Sequence, residues 1–270
     1  MGCHDIIQAD IQEAKDMFRS DFEKNVSAAL NKTSMLKRDP IGYFILSMMA
    51  GAFIGVGVLL AFTIGGQLSG LPYAKVVMGL SFGVALSLVV MAGAELFTGN
   101  NMVMAMGVMD KKVTLGDAVR LWIICWLGNL AGAVILALLY HLTGLGAGDT
   151  GTFMAAGAAA KMSAGAVQLI TRGILCNFLV CLAVWSASRS TSDAGKLIMI
   201  FWCLFAFITT GFEHSIANMT LMTVALLEPM EQAVSIGGYF YNLILVTIGN
   251  MIGGIVFVAL PYYIAGRKDA

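Results

Sequence analysis

Of 270 residues, 59% are hydrophobic and only 12% charged, and the mean hydropathy is +0.84, a mixture from which no soluble core with a solvated surface can be built. Formal net charge is zero, with sixteen Lys and Arg against sixteen Asp and Glu, which removes any electrostatic case for nucleic acid as a partner. Ala, Leu, Met and Gly dominate without strand-like alternation, so the chain reads as an all-α membrane protein rather than an outer-membrane barrel.

The first forty residues lack the pattern of a signal peptide. Within them Ile7, Ile11, Ala14, Phe18, Phe22, Val26 and Leu30 recur at three- or four-residue steps among charged residues, which predicts an amphipathic helix over 1–38. Docking at the mouth of the bundle or on a neighbouring subunit is preferred to lying on the membrane surface. Met1-Gly2-Cys3 lacks the Ser or Thr that an acylation motif needs at position 6, where Ile stands. Asp39-Pro40 supplies an N-cap and an N1 proline for the first span.

Six windows of the length that a hydrocarbon core requires follow, near 43–64, 74–97, 120–141, 164–187, 196–212 and 240–264. They make a channel domain over 39–265, with repeats at about 40–142 and 163–264, and leave a short tail at 266–270. Thirteen of the sixteen Lys and Arg fall on the side of the termini. Lys75 and Lys161 fall opposite and Arg172 lies inside the fourth window, so the bias places both termini in the cytoplasm. The cysteines at 3, 125, 176, 181 and 203 form no CxxC pair and read as small packing residues; no metal or cofactor is expected.

Two apolar runs are interrupted where a spanning helix should have continued, at Ala94 to Asn101 and at Gly211 to Asn218. Each interruption carries a Glu followed five residues later by Asn, Glu95/Asn100 and Glu213/Asn218, offset by 118 residues. Trp126 to Ala133 parallels Thr247 to Gly254 at an offset of 121. Two halves of three spans each are implied, and because three is odd the second half enters the membrane from the opposite side. The breaks are expected at about Phe97 to Asn101 and His214 to Asn218, in helices 2 and 5. Half-helix N-termini meeting near the midplane favour a negative or hydrogen-bond-accepting solute. Glu95, Asn100, Glu213 and Asn218 read as braces of the irregular loops, since carboxylates on the path would repel anions. His214 begins the second break and Thr98 holds a corresponding place in the first, so the two are expected to face each other across a narrow path. The glycines of the Gly-Asn-x-x-Gly strings read as helix packing.

Ala94 to Asn101, Gly128-Asn129, Asn177 and above all Phe212-Glu213-His214-Ser215-Ile216-Ala217-Asn218 resemble the formate/nitrite transporter family, over nearly the whole stretch from Asp39 to Tyr263. The resemblance implies an aquaporin-like six-helix protomer in a homopentamer, each protomer with its own pore. It implies a pore centre of His214, Thr98 and Asn177, and Lys161 in an outer vestibule. It further implies an outer apolar constriction of Phe82, Val180 and Phe207 and an inner one of Leu86, Leu96 and Phe97. The substrates implied are small monovalent anions of weak acids, namely formate, nitrite or hydrosulfide.

The physics of these residues agrees with that reading. A bare anion in an apolar ring costs tens of kcal/mol by Born solvation, a neutral polar group roughly 2 to 7, so passage is expected to be assisted by a proton. Lys161 would concentrate the anion, and His214, an imidazole that titrates near neutrality in water, could donate a proton or a hydrogen bond. Two sources of the proton stay open, His214 itself and water in the vestibule. An aquaporin-like channel for small neutral solutes is the alternative, but none of the prolines at 40, 72, 229 and 261 begins a half-helix with Asn-Pro-Ala. An intramembrane enzyme is not expected, because Glu213-His214 is not His-Glu-x-x-His.

Overall fold

The computed structural model describes the backbone of residues 3–266 and the side chains of 18–266. Met1-Gly2, the side chains at Cys3, Ile7, Ile11 and Ala14, and the tail after Gly266 lie outside the described residues. The described chain is helical and has no strand, and six of its helical segments are long and apolar enough to cross a membrane.

Helix α1 (Cys3–Arg38) packs chiefly against a half-helix over Phe97–Met109 and the carboxy-terminal helix over Leu260–Gly266. It buries Phe22, Val26, Ala29 and Leu36. Leu30, expected on this apolar face, is 43% exposed, because the buried stripe runs through 22, 26, 29, 33 and 36 instead. The first span, α2 (Pro40–Gln67), starts as its sequence dictates: the Asp39 carboxylate accepts the Gly42 N–H at 2.8 Å and Pro40 takes the first helical position.

The second span is α3 (Ala74–Ser81) and α4 (Val84–Ala92), separated at Phe82–Gly83. It ends at Gly93, whose φ of +80° suits glycine alone. Four residues later the half-helix α5 (Phe97–Met109) begins. The third span is α6 (Leu115–Leu142), followed by α7 (Gly148–Met162), a helix too short and too mildly apolar to appear among the windows. Spans four and five are α8 (Ala166–Arg189) and α9 (Asp193–Thr210). The fifth ends at Gly211, with φ +81°, before the half-helix α10 (Ser215–Leu227). The sixth runs through α11 (Ile236–Gly254), a π-turn at Ile255–Ala259 and α12 (Leu260–Gly266).

Both breaks therefore lie a few residues before the expected positions, at Gly93–Leu96 and Gly211–His214, and Asn100, Asn101 and Asn218 sit inside the half-helices. The reason is local: a left-handed glycine stops each helix, and helical geometry resumes as soon as the next free N–H groups find acceptors.

The most intimate packing is backbone against backbone. Along α2 and α6, a Cβ at Gly128 or Gly132 would collide with Ser47 or the Met48 carbonyl. Along α8 and α11, one at Gly249 or Gly253 would collide with the Ile170 or Ile174 carbonyl. The glycines of the repeated string thus let the first and third span of each half touch, as small residues do in bilayers where no hydrophobic force draws helices together. Gly132→Leu and Gly253→Leu should each cost about 3 kcal/mol or more by overpacking, read as a fall in thermal stability in mild detergent. Gly116→Ala, where the nearest atom is a Thr114 hydroxyl at 3.9 Å, should change it by less than about 0.5 kcal/mol.

Candidate functional site

Each break is stitched to the bundle by one asparagine used three ways. Asn129 Oδ1 accepts the Phe97 N–H at 2.9 Å, while its Nδ2 donates to the carbonyls of Ser47 and Glu95 at 2.7 and 2.9 Å. Asn250 does the same in the second half: Oδ1 accepts the Ser215 N–H at 2.9 Å, and Nδ2 donates to the carbonyls of Gly173 and Glu213 at 2.8 and 3.0 Å. The loops also bond the first span of their own half, Glu95 N–H to the Leu46 carbonyl and Glu213 N–H to the Arg172 carbonyl. These amides remove the cost of irregular backbone at membrane depth.

The carboxylates are braced in parallel fashion. Asn100 Nδ2 donates to Glu95 at 2.9 Å and Asn218 Nδ2 to Glu213 at 2.7 Å. Lys32 of α1 donates to both oxygens of Glu95 at 2.6 and 2.7 Å, and Lys161 of α7 donates to Glu213 at 2.8 Å. Tyr43 adds a hydroxyl to Glu95 at 3.1 Å, and Asn242 holds Asn218 at 2.9 Å. The sequence reading missed Lys32, Tyr43, Asn129, Asn242 and Asn250 as members of this network. Only the repeat at Asn129 and Asn250 offered a signal.

The hydrogen-bond equivalence pairs Phe97 with Ser215 and hence Leu96 with His214 and Thr98 with Ile216. Thr98 and His214 do not hold corresponding places, contrary to the expectation, yet they meet: Thr98 Oγ1 lies 3.0 Å from His214 Nε2, and both side chains are buried. His214 is also the N-cap of α10, its Nδ1 accepting the Ala217 N–H at 3.1 Å. Nδ1 is thus an acceptor, which assigns the ring proton to Nε2, aimed at the Thr98 oxygen and leaving the threonine proton to be donated onward. Asn177 donates to the carbonyls of Thr98 and Asn250 and to Asn101 Oδ1, at 3.2, 2.7 and 3.1 Å, so it holds the backbone behind Thr98.

Two cavities of about 370 Å³ approach this pair from opposite ends of the second span, and no residue lines both. The first is lined by Lys75, Phe82, Lys161, Arg172, Phe207 and His214. Phe82 and Phe207 meet edge to face at 5.5 Å, and Phe207 stacks on the His214 ring at 6.0 Å. The second is lined by Lys32, Leu86, Gly93, Glu95, Leu96 and Asn100, among others. Of the expected constriction residues, Phe97 and Val180 line neither cavity. Phe97 borders an apolar groove between α6 and α11, beside Trp122 and Trp126, because the Asn129 cap orients the first turn of α5 toward α6; Val180 is buried and borders neither cavity.

Comparison with known proteins decides what kind of molecule this is. The sequence profile of the formate/nitrite transporter family matches residues 20–264. The chain belongs to that family. Within it, the nitrite transporter NirC of Escherichia coli is 42% identical over 258 residues, covering 93% of this chain and 94% of that one. A solved formate/nitrite transporter family ion channel superposes with a TM-score of 0.88 at 39% identity, covering 92% of this chain and 99% of the other. A solved pentameric formate channel with formate bound gives 0.75 at 29% identity, covering 84% and 98%. Membership makes the chain a multi-pass membrane protein of a transporter and channel family, whose related proteins are named as transporters and channels rather than enzymes.

In this family member the Lys161–Glu213 pair is largely buried, so removing one partner strands the other. Lys161→Met should lose about 3 kcal/mol of stability, and Lys161→Met with Glu213→Gln should recover much of it. Additive losses in thermal unfolding would count against the pair as a brace.

Proposed function

We propose that the chain is a channel or transporter for small monovalent anions of weak acids, formate and nitrite first and hydrosulfide among them, passing between the two cavities by way of the His214–Thr98 contact with the assistance of a proton. The single observation that carries this reading is the pair itself: two hydrogen-bonding groups meet at 3.0 Å, His214 on the wall of the first cavity and Thr98 between Phe97 and the Gly99 that lines the second. The apolar walls of Phe82 and Phe207 on one side and of Leu86 and Leu96 on the other exclude a bare charge far more strongly than a neutral acid. Thr98 and His214 offer the passing solute a hydrogen bond that replaces part of its water. Asn177 keeps the Thr98 carbonyl away from it, and Lys161, Glu95, Asn100, Glu213 and Asn218 hold the two breaks in shape. Passage needs no covalent step, so no enzyme activity is assigned.

The first cavity is taken as the outer vestibule and the second as the inner one, with the amino-terminal helix and both termini in the cytoplasm and the chain in the inner membrane. The supporting argument is the excess of Lys and Arg at the inner ends of the spans. Residues 1–38 form the helix that precedes the six-span channel domain of 39–265. By analogy with the solved pentameric formate channel, five copies assemble in the bilayer, each with its own path.

In mild detergent, native mass measurement should give a pentamer; a monomer as the sole species would overturn that part of the reading. In liposomes, flux of formate and nitrite should rise as the pH on the vestibule side falls through the weakly acidic range. His214→Asn should keep the assembly, lower the flux roughly 10²-fold and flatten its dependence on pH. An unchanged rate and pH profile would make the histidine structural, and passage of glycerol in place of the anions would favour the neutral-solute alternative.

A further inference from the structure

Lys75, Lys161 and Arg172 are the basic residues that depart from the charge bias of the spans, and all three line the first cavity. Cations on the face where they are disfavoured, gathered around one opening, are not the scatter expected of residues that merely anchor helix ends. They are not equivalent, however. The Lys161 ammonium is 2.8 Å from Glu213, the one carboxylate on that cavity's wall. Among the described residues no carboxylate lies within 4.0 Å of Lys75 or Arg172. The second cavity balances Lys32 against Glu95 and has no further charge.

The repeat supplies an internal control. The Arg172 carbonyl accepts the Glu213 N–H as the Leu46 carbonyl accepts the Glu95 N–H, so Arg172 and Leu46 are equivalent positions. Each lines its own cavity. The scaffold function at this position is performed by the backbone, and leucine suffices for the side chain. The guanidinium therefore serves something other than the fold.

Resting on the transport reading above, we propose that Lys75 and Arg172, rather than Lys161, form the anion-collecting subsite of the vestibule, and that Arg172 favours planar anions with two oxygens. Two cations without a carboxylate partner among the described residues, beside a low-dielectric wall, raise the local anion concentration. A guanidinium presents parallel N–H groups in a rigid fork that matches the two oxygens of formate or nitrite, whereas hydrosulfide offers it one acceptor atom. An ammonium is a point charge and makes no such distinction.

The test is concentration-dependent flux of formate, nitrite and hydrosulfide into liposomes carrying the full-length protein, with the leak of protein-free liposomes subtracted. Arg172→Leu, which introduces the side chain already tolerated at the equivalent position, should raise the half-saturating concentration of formate and nitrite about five-fold or more, with a smaller rise for hydrosulfide. Arg172→Lys should restore hydrosulfide but not the other two. Lys75→Gln should raise all three alike, and added salt should narrow its difference from wild type. Unchanged half-saturation for formate and nitrite in Arg172→Leu, in protein that elutes as the wild-type assembly, would overturn the subsite while leaving the transport reading intact. Equal shifts for all three anions in Arg172→Lys would overturn the selectivity. A wild-type protein that carried none of the three would overturn the transport reading and the subsite with it.

Discussion

The structure depends on how a helix can be broken inside hydrocarbon. Ending a span at Gly93 or Gly211 strands carbonyls at one side of the break and N–H groups at the other, each costing several kcal/mol in lipid if left bare. Asn129 and Asn250 meet that cost with a single amide apiece, accepting from the first N–H of the half-helix and donating to carbonyls of the loop and of the first span of the same half. The amides can reach because Gly128, Gly132, Gly249 and Gly253 bring the third span of each half against the first. Glycine contact and amide bond are thus one device, and together they position the two half-helix N-termini.

On this repeated scaffold the chemistry is asymmetric. Equivalent positions hold Leu96 and His214, Thr98 and Ile216, Leu46 and Arg172. At Leu46 and Arg172, and at Leu96 and His214, both halves use the backbone carbonyl in the same way, which does not require the side chains to match. His214 caps α10 with Nδ1 and reaches Thr98 with Nε2, coupling the start of one half-helix to the first turn of the other. The lysines that neutralise the two glutamates come from outside the six spans, Lys32 from α1 and Lys161 from α7. Each half is better described as a bracing helix followed by three spans, which assigns α7 the part in the second half that α1 has in the first.

Composition, hydropathic windows and the paired Glu and Asn positions were enough to establish the membrane class, six spans and two interrupted runs, because these features are written in residue type and spacing. The Asp39-Pro40 start was equally legible, being a local hydrogen bond and a fixed φ. The breaks were placed a few residues late, since the polar residues that draw the eye, Asn100 and Asn218, are already helical, and the glycines that cause the breaks resemble the packing glycines around them. Helix α7 was hidden because its amphipathic pattern is weak and its length is below that of a span.

By itself the sequence determined which groups could not be left in lipid, and therefore that Glu95, Glu213, His214 and their neighbours had to converge on something. Only the tertiary structure decided what they converge on. Lys161 is neutralised by Glu213, Asn177 is committed chiefly to backbone carbonyls, Phe97 faces a groove away from the cavities, and Lys75 and Arg172 line one opening with no carboxylate within 4.0 Å among the described residues. The physical reason is that burial cost is a property of each residue and can be read one position at a time. Satisfaction of that cost is a property of pairs separated by tens to more than a hundred positions, and pairs exist only once the helices have packed.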